Sequence, residues 1–196
     1  MKILLGTTSK GKIREYKAYF DHIQNIELVG LSDIGIDLYA PETHDTFVEN
    51  AKEKASFYNN IAGMPCIADD SGLMVDALAG APGIYSARWT GEHANDATNC
   101  AKLVSELERL NVAQSKAQYV TACCLALNNN KYIETIGVLN GTVKTIPKGT
   151  NGFSYDPYFY LNNGKTIAEL STEEKNAIGN RGIAIKQLVN KLSDIL

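Results

Sequence analysis

Apolar positions along the chain fall into two regimes. Short unbroken apolar runs at residues 2–5, 26–30 and 64–68 have the length and continuity of strands buried on both faces. Between them, apolar residues recur at helical spacing. In residues 11–20 they are Ile13, Tyr16 and Phe20, with Lys17 an alternative to Tyr16. In residues 46–61 they are Phe47, Ala51, Ala55 and Tyr58, with Lys54 an alternative to Ala55. Residues 6–12 form a loop of small, hydroxyl and basic side chains, and Asp69-Asp70-Ser71-Gly72 reads as a polar turn closing the third strand. Asn95-Asp96 caps a helix predicted over residues 97–110. Extended runs at 118–127 and 132–139 flank the polar Asn128-Asn129-Asn130, a hairpin pattern, and residues 141–146 add a further strand. Ser171 and Glu174 stand at capping-box spacing, and residues 178–192 carry the helical period onward. The order strand, loop, helix, strand defines an α/β fold. The expectation is one domain over residues 1–196, with a long mixed central sheet flanked by helices and two lobes with a cleft between them.

Composition adds exclusions. Hydrophobic residues make up 44% of the 196 and charged residues 21%, the balance of a globular chain. A net charge of -3 argues against a broad nucleic-acid surface, which needs clustered Lys and Arg, but leaves room for a local basic pocket. No apolar stretch is long enough to span a membrane, and the opening Met1-Lys2-Ile3-Leu4-Leu5 is too short for a signal peptide. The four cysteines, Cys66, Cys100, Cys123 and Cys124, show no C-x-x-C spacing. They read as small buried side chains in a reducing cytoplasm, with Cys123 and Cys124 on opposite faces of one strand.

Five segments carry candidate chemistry. Gly6-Thr7-Thr8-Ser9-Lys10-Gly11-Lys12 combines loop N–H groups, a helix start and lysines, a phosphate-binding pattern. It satisfies G-x-x-x-x-G-K, but Ile13 stands where a P-loop places the hydroxyl for magnesium; an ordinary strand-to-helix turn is the alternative. In Asp69-Asp70-Ser71-Gly72, two adjacent carboxylates would face opposite sides if the strand continued, one serving structure and the other facing a cleft. A carboxylate there can hold magnesium or take a proton from water; a capped turn is the plain alternative. Glu42, Glu49 and Lys54 suit either a metal–phosphate site or a solvated helix face. Phe153-Ser154-Tyr155-Asp156 offers two aromatic faces for stacking and an acceptor for a base N–H, or else a loop whose rings plug the core. Lys175, Asn180 and Arg181 border a helix break at Gly179 and bring positive charge and donors.

Together and in this order, the five segments resemble the inosine triphosphate pyrophosphatase family, also described as dITP/XTP pyrophosphatases. The most specific stretch is Ala68-Asp69-Asp70-Ser71-Gly72-Leu73 followed by Val75-Asp76-Ala77-Leu78 and Gly80-Ala81-Pro82-Gly83-Ile84-Tyr85-Ser86-Ala87-Arg88. The resemblance implies a cytoplasmic homodimer with a nucleotide-binding cleft. It implies Mg2+-dependent hydrolysis of non-canonical purine nucleoside triphosphates (ITP, dITP, XTP) to monophosphate and pyrophosphate, cleansing the nucleotide pool. By match to the family pattern, Thr7, Thr8, Ser9, Lys10, Gly11 and Lys12 hold the triphosphate. Asp70 is the catalytic carboxylate and, with Glu42, a metal ligand. Lys54 adds charge, Ser71 touches substrate, and Phe153, Ser154, Tyr155, Asp156, Lys175, Asn180 and Arg181 complete the substrate site. Four departures stand out: Ser9 for the usual Asn, Ser154 for Gly, Asn180 for His, and Pro41 in the first place of an acidic pair. The rivals are a P-loop kinase or NTPase, which would release inorganic phosphate or transfer it, and a nucleotide-binding protein without catalysis.

Overall fold

The computed structural model describes residues 1–128 and 131–193. Among the described residues, six strands and five α-helices follow one another as β1 (Lys2–Leu5), α1 (Lys10–Phe20), β2 (Glu27–Gly30), α2 (Phe47–Ala62), β3 (Cys66–Val75), α3 (Asp96–Arg109), β4 (Gln114–Leu127), β5 (Lys131–Lys144), β6 (Phe159–Tyr160), α4 (Thr172–Ile178) and α5 (Asn180–Ser193). The strand order is β2-β1-β3-β4-β5-β6. β1 runs parallel to β2 and β3, whereas β6 is antiparallel to β5, so the sheet is mixed as expected. Of the predicted hairpin, β4 and β5 are sheet neighbours; Asn129 and Asn130 lie outside the described residues.

The chain resolves into two compact units. The first comprises Met1–Asp70, Thr121–Gly137 and Asn180–Leu196, and the second Ser71–Val120 and Val138–Gly179. In the first unit, Tyr16 and Phe20 of α1 and Ala184, Ile185 and Leu188 of α5 form one core with Ile3, Ile67 and Cys123 of the strands. A separate cluster joins Ala51 and Ala55 of α2 to Ala68, Ala122 and Cys124. Cys123 and Cys124 therefore do face opposite ways, as strand alternation requires. The α2 contact uses alanines, whose small side chains let helix and sheet come close. In the second unit, Leu103 and Leu107 of α3 pack with Leu73, Val75, Tyr155 and Phe159.

Two local expectations are corrected. Asp69-Asp70-Ser71-Gly72 is not a turn but the middle of β3. Charged residues enter a buried strand here because each carboxylate meets cationic partners, described below. Residues 141–146 are not a separate strand, because β5 runs unbroken to Lys144. Gly141 reads as a break in the sequence but answers a packing demand: a Cβ there would lie 2.6 Å from Cζ of the Phe159 ring and from the Tyr160 carbonyl oxygen. Gly137 plays the same part for α5. A Cβ on it would collide with the Asn180 carbonyl and lie 2.7 Å from the Ala184 nitrogen. The predicted break at Gly179 is present, separating α4 from α5, and Ser171 and Glu174 form the full capping box.

Because backbone, not a flexible side chain, faces Gly137, Gly137→Ala should destabilise the protein by about 1–3 kcal/mol through overpacking. Denaturant unfolding of the two proteins measures this; an unchanged midpoint would contradict the packing described.

Candidate active site

The site in the first unit grows from three elements. β1 ends at Leu5, and Gly6 continues the pairing, donating its N–H to the Ile67 carbonyl at 2.7 Å. The loop then turns into α1: Thr7 Oγ1 accepts the Ser9 N–H at 3.2 Å, and Ser9 caps the helix by accepting from the Lys12 N–H. Serine suffices for that cap, which gives Ser9 a structural task independent of its reach. Thr8 and Lys10 are exposed, and Gly11 is half-buried. Lys12 turns inward, with its ammonium 3.1 Å from Asp69 Oδ1.

β3 presents its two carboxylates to opposite sides, and their surroundings differ. Asp69, 1% exposed, takes Lys12 at one oxygen and Arg181 Nε at the other, at 2.9 Å. The Arg181 guanidinium also pairs with Glu15 of α1. Burial alone would raise the Asp69 pKa, but Lys12, Arg181 and Lys54 together hold it well below the usual carboxylate range. Asp70 meets Lys54 Nζ at 3.6 Å and the Asn50 amide at 3.3 Å. Burial raises its pKa, Glu42 and Asp69 add to the rise, and Lys54 and Lys12 oppose it. Lys54 also donates to the Asp69 carbonyl at 3.1 Å and pairs with Glu42. Burial works against its charge, but Asp70 and Glu42 outweigh that and raise its pKa. Lys12 shows the reverse balance, burial lowering its pKa despite Asp69.

α2 sets the segment carrying Glu42. Thr46 caps the helix, accepting the Glu49 N–H at 3.2 Å, and its hydroxyl donates to Glu49 at 2.7 Å. Glu49 is thus engaged at the cap, while Glu42 stands beside Lys54. Arg181 and Asn180 begin α5. Arg181 sits in the buried ion cluster with Asp69 and Glu15, and Asn180 donates to Thr121 Oγ1 at 2.7 Å.

In the second unit, Ser71 is half-buried and follows Asp70 along β3. The segment Phe153–Asp156 is held by carboxylates. Asp156 accepts the Phe153 N–H at 2.9 Å and pairs with Lys175 at 2.8 Å; Asp96 accepts the Ser154 N–H at 2.8 Å. The Lys175 ammonium lies 4.3 Å from the Phe153 ring centroid. One reading is corrected: Tyr155 is not a stacking face. Its ring is fully buried in the core and its hydroxyl donates to the Ser86 carbonyl at 2.8 Å. Phe153 alone of the pair is partly exposed. Ser154 adopts φ +57°, a left-handed conformation that favours glycine.

Glu15 and Asn50 do not stand out in the sequence, and Asp96 is legible there only as part of a helix cap. Glu15 stands three residues after Lys12, hence on the same helix face, and a glutamate beside the buried Tyr16 is a legible anomaly. Asn50 likewise adjoins the buried Ala51.

A mixed α/β sheet with a phosphate-type loop, paired inward lysines and two carboxylates of divergent proton affinity defines a protein built for a polyanionic ligand. The Ham1 family profile matches residues 3–191. A dITP/XTP pyrophosphatase of Geobacter sulfurreducens is 43% identical, covering 97% of this chain and 96% of that protein. Another of Shigella flexneri is 43% identical, covering 97% and 98%. Among solved structures, a HAM1 protein from Coxiella burnetii superposes with a TM-score of 0.89 at 34% identity over 99% of both chains. The Staphylococcus aureus Ham1 protein gives 0.87 at 35% identity over 100% of both. This chain belongs to the Ham1 family.

Removing the Asp69 charge takes from Lys12 its ion-pair partner and leaves Arg181 with Glu15 alone, so Asp69→Asn should cost about 3–5 kcal/mol at pH 7. The carboxylate pKa is depressed on folding, so its stabilisation is present above the unfolded value of about 3.9 and fades as pH falls below it. Unfolding midpoints measured against pH should show wild type and variant converging in acid; a gap that stays constant would refute the pairing. Ser154→Gly should relieve left-handed backbone strain and stabilise by up to about 1 kcal/mol in the same assay.

Proposed function

We propose that this chain hydrolyses non-canonical purine nucleoside triphosphates, dITP, ITP and XTP, to the monophosphate and pyrophosphate, with Mg2+ as cofactor. The observation that carries the reading is Asp70, a buried carboxylate with raised proton affinity, held between Asn50 and Lys54 with Glu42 beside the same lysine. The names of the relatives support the substrate class.

The donor set fits magnesium. Asp70 and Glu42 offer hard carboxylate oxygens, and the Glu42 charge helps raise the Asp70 pKa; Mg2+ sites commonly take one or two carboxylates with substrate phosphates and water completing the shell. Among the described residues no three His, Cys, Asp or Glu side chains form a ready-made metal cage. Bound there, the ion supplies positive charge to the phosphate oxygens. The chain does the rest. Asp70 orients a water toward the α-phosphorus and accepts its proton as the new P–O bond forms. The bond from the α-phosphorus to the bridging oxygen breaks, and pyrophosphate leaves. Lys12 and Lys54 offset the charge of the triphosphate, and the residue 7–12 loop offers N–H donors. A raised carboxylate pKa suits Asp70 to proton acceptance near neutral pH.

For the base, N–H donors favour the acceptor oxygen at position 6 of hypoxanthine and xanthine over the amine of adenine. Phe153, Ser154, Asp156, Lys175 and Asn180 keep their assignment to the substrate through the family resemblance, with Phe153 as the stacking ring. A homodimer in the cytoplasm, acting to cleanse the nucleotide pool, completes the proposal. Four free, buried cysteines support a reducing compartment. No helix among the described residues is long and apolar enough to cross a membrane.

The test is product analysis with Mg2+ and dITP, ITP, XTP, GTP or ATP. Pyrophosphate should appear from the keto purines, and Asp70→Asn should lower kcat by at least about 100-fold. Inorganic phosphate as the only product would overturn the reaction, and equal kcat/KM for ATP and dITP would overturn the base selectivity.

A further inference from the structure

Several side chains of α2 and its cap hold the segment at residues 42–46. Glu53 accepts the Thr43 N–H at 3.1 Å and the Thr43 hydroxyl at 3.1 Å, Lys54 pairs with Glu42, and Thr46 caps the helix. Asn50 grips the same segment and, in addition, reaches Asp70. Its Oδ1 accepts the His44 N–H at 3.0 Å. Its Nδ2 donates to the His44 carbonyl at 3.1 Å and to Asp70 Oδ2 at 3.3 Å. The residue is fully buried.

These contacts settle which way the amide points. Turning it over would set the NH2 against the His44 N–H and the oxygen against both the His44 carbonyl and the Asp70 carboxylate, exchanging three attractions for three repulsions. The backbone of residue 44 thus dictates that a donor faces Asp70. With Lys54 near Oδ1 and Asn50 at Oδ2, the carboxylate is held at both oxygens. A buried asparagine inside a helix is otherwise unfavourable, so a specific partner set is what its position requires.

We infer that Asn50 is a positioning residue for the hydrolysis: it fixes the rotamer of Asp70 and ties that carboxylate to the segment bearing Glu42. This rests on the reading of Asp70 as the proton acceptor. One amide then sets the spacing of two carboxylates drawn from different elements, a loop and a strand. A glutamine is one methylene too long to repeat the three contacts, and an aspartate can accept from His44 but cannot donate to Asp70.

The experiment compares Asn50→Leu and Asn50→Asp with Glu53→Ala, which loosens the same segment at Thr43 without touching Asp70. Three readouts are taken: kcat and KM for pyrophosphate release from dITP at saturating Mg2+, thermal midpoints, and the side-chain amide resonances of Asn50 in nucleotide-free protein. Asn50→Leu should lower kcat by about 100-fold with KM within about threefold, as expected for a misplaced reacting group. Asn50→Asp should be at least as impaired. Glu53→Ala should change kcat less than about fivefold while still lowering the midpoint. In the wild type the Asn50 amide protons should be protected from exchange, and Asp70→Ala should shift them and expose one. That arm decides the contact even where Asn50→Leu does not fold. Wild-type kcat in folded Asn50→Leu, an equal kcat loss in Glu53→Ala, or an Asn50 amide blind to Asp70→Ala each overturns the inference. A wild type that releases no pyrophosphate overturns the functional reading, and with it the kinetic consequence of the contact.

Discussion

Asp69 sits on a strand of the central sheet with Lys12 at one oxygen and Arg181 at the other. That triad fixes what surrounds it. Lys12 belongs to α1, Arg181 to α5 and Asp69 to β3, so a single buried carboxylate draws two helices onto the sheet. Without it, Lys12 would lose its ion-pair partner and Arg181 one of two, a far greater penalty than an unmade neutral hydrogen bond. Glu15 extends the arrangement from α1 and doubles the anionic charge around Arg181. The hydrophobic contacts of Tyr16, Phe20, Ala184 and Leu188 supply most of the burial between these elements. They are non-directional, however, and would tolerate small slips. The ion cluster does not, so the phosphate-type loop at residues 7–12 inherits its placement from charge pairing as much as from packing.

On the opposite side of the strand, α2 does comparable work with different chemistry. Its alanines allow close approach to Ala68 and Ala122, which lets Asn50 and Lys54 reach Asp70. The side chains that hold residues 42–46 come from one helix, so Glu42 is placed against a rigid element although it lies in a loop. Thr46, Glu49, Asn50, Glu53 and Lys54 look in sequence like a capped, solvated helix start. Their function is visible only when the loop they grip is seen beside β3.

How much of this was legible follows from the same physics. Strands at residues 2–5 and 26–30, helix α1 and the Asn95 cap announced themselves through period and turn chemistry, because local rules govern them. The quartet Asp69-Asp70-Ser71-Gly72 was read locally as a turn, and local rules mislead there: the Asp69 charge is tolerated in a strand through partners 57 and 112 residues away in the chain. Gly141 misled for a related reason, since the ring that demands a glycine belongs to a later segment. Of the candidate site residues, Lys12, Lys54, Glu42 and Asp70 do gather in one unit. Tyr155 turned inward because its hydroxyl finds the Ser86 carbonyl and its ring completes the second core. Glu15 and Asn50 escaped notice because a polar residue beside an apolar stripe becomes an anomaly only once its neighbours are seen to be buried.

Two adjacent aspartates with opposite environments also explain how a strand can serve stability and chemistry at once. Strand alternation sends them to different sides, so their proton affinities are set separately. Asp69 is crowded by full positive charges and stays ionised. Asp70 has a neutral amide at one oxygen, a lysine shared with Glu42 near the other, and enough burial to raise its pKa. Titratable neighbours pushed apart in this way mark a division of roles: the carboxylate that cannot take a proton organises the fold, and the one that can is available to react. Exchanging the surroundings would fail on both counts. An amide in place of Arg181 would leave the buried Asp69 carboxylate undercompensated, and a guanidinium on Asp70 would remove the basicity that the proposed proton transfer needs. The asymmetry between Arg181 and Asn50 as partners is therefore the feature that separates the structural aspartate from the one proposed to react.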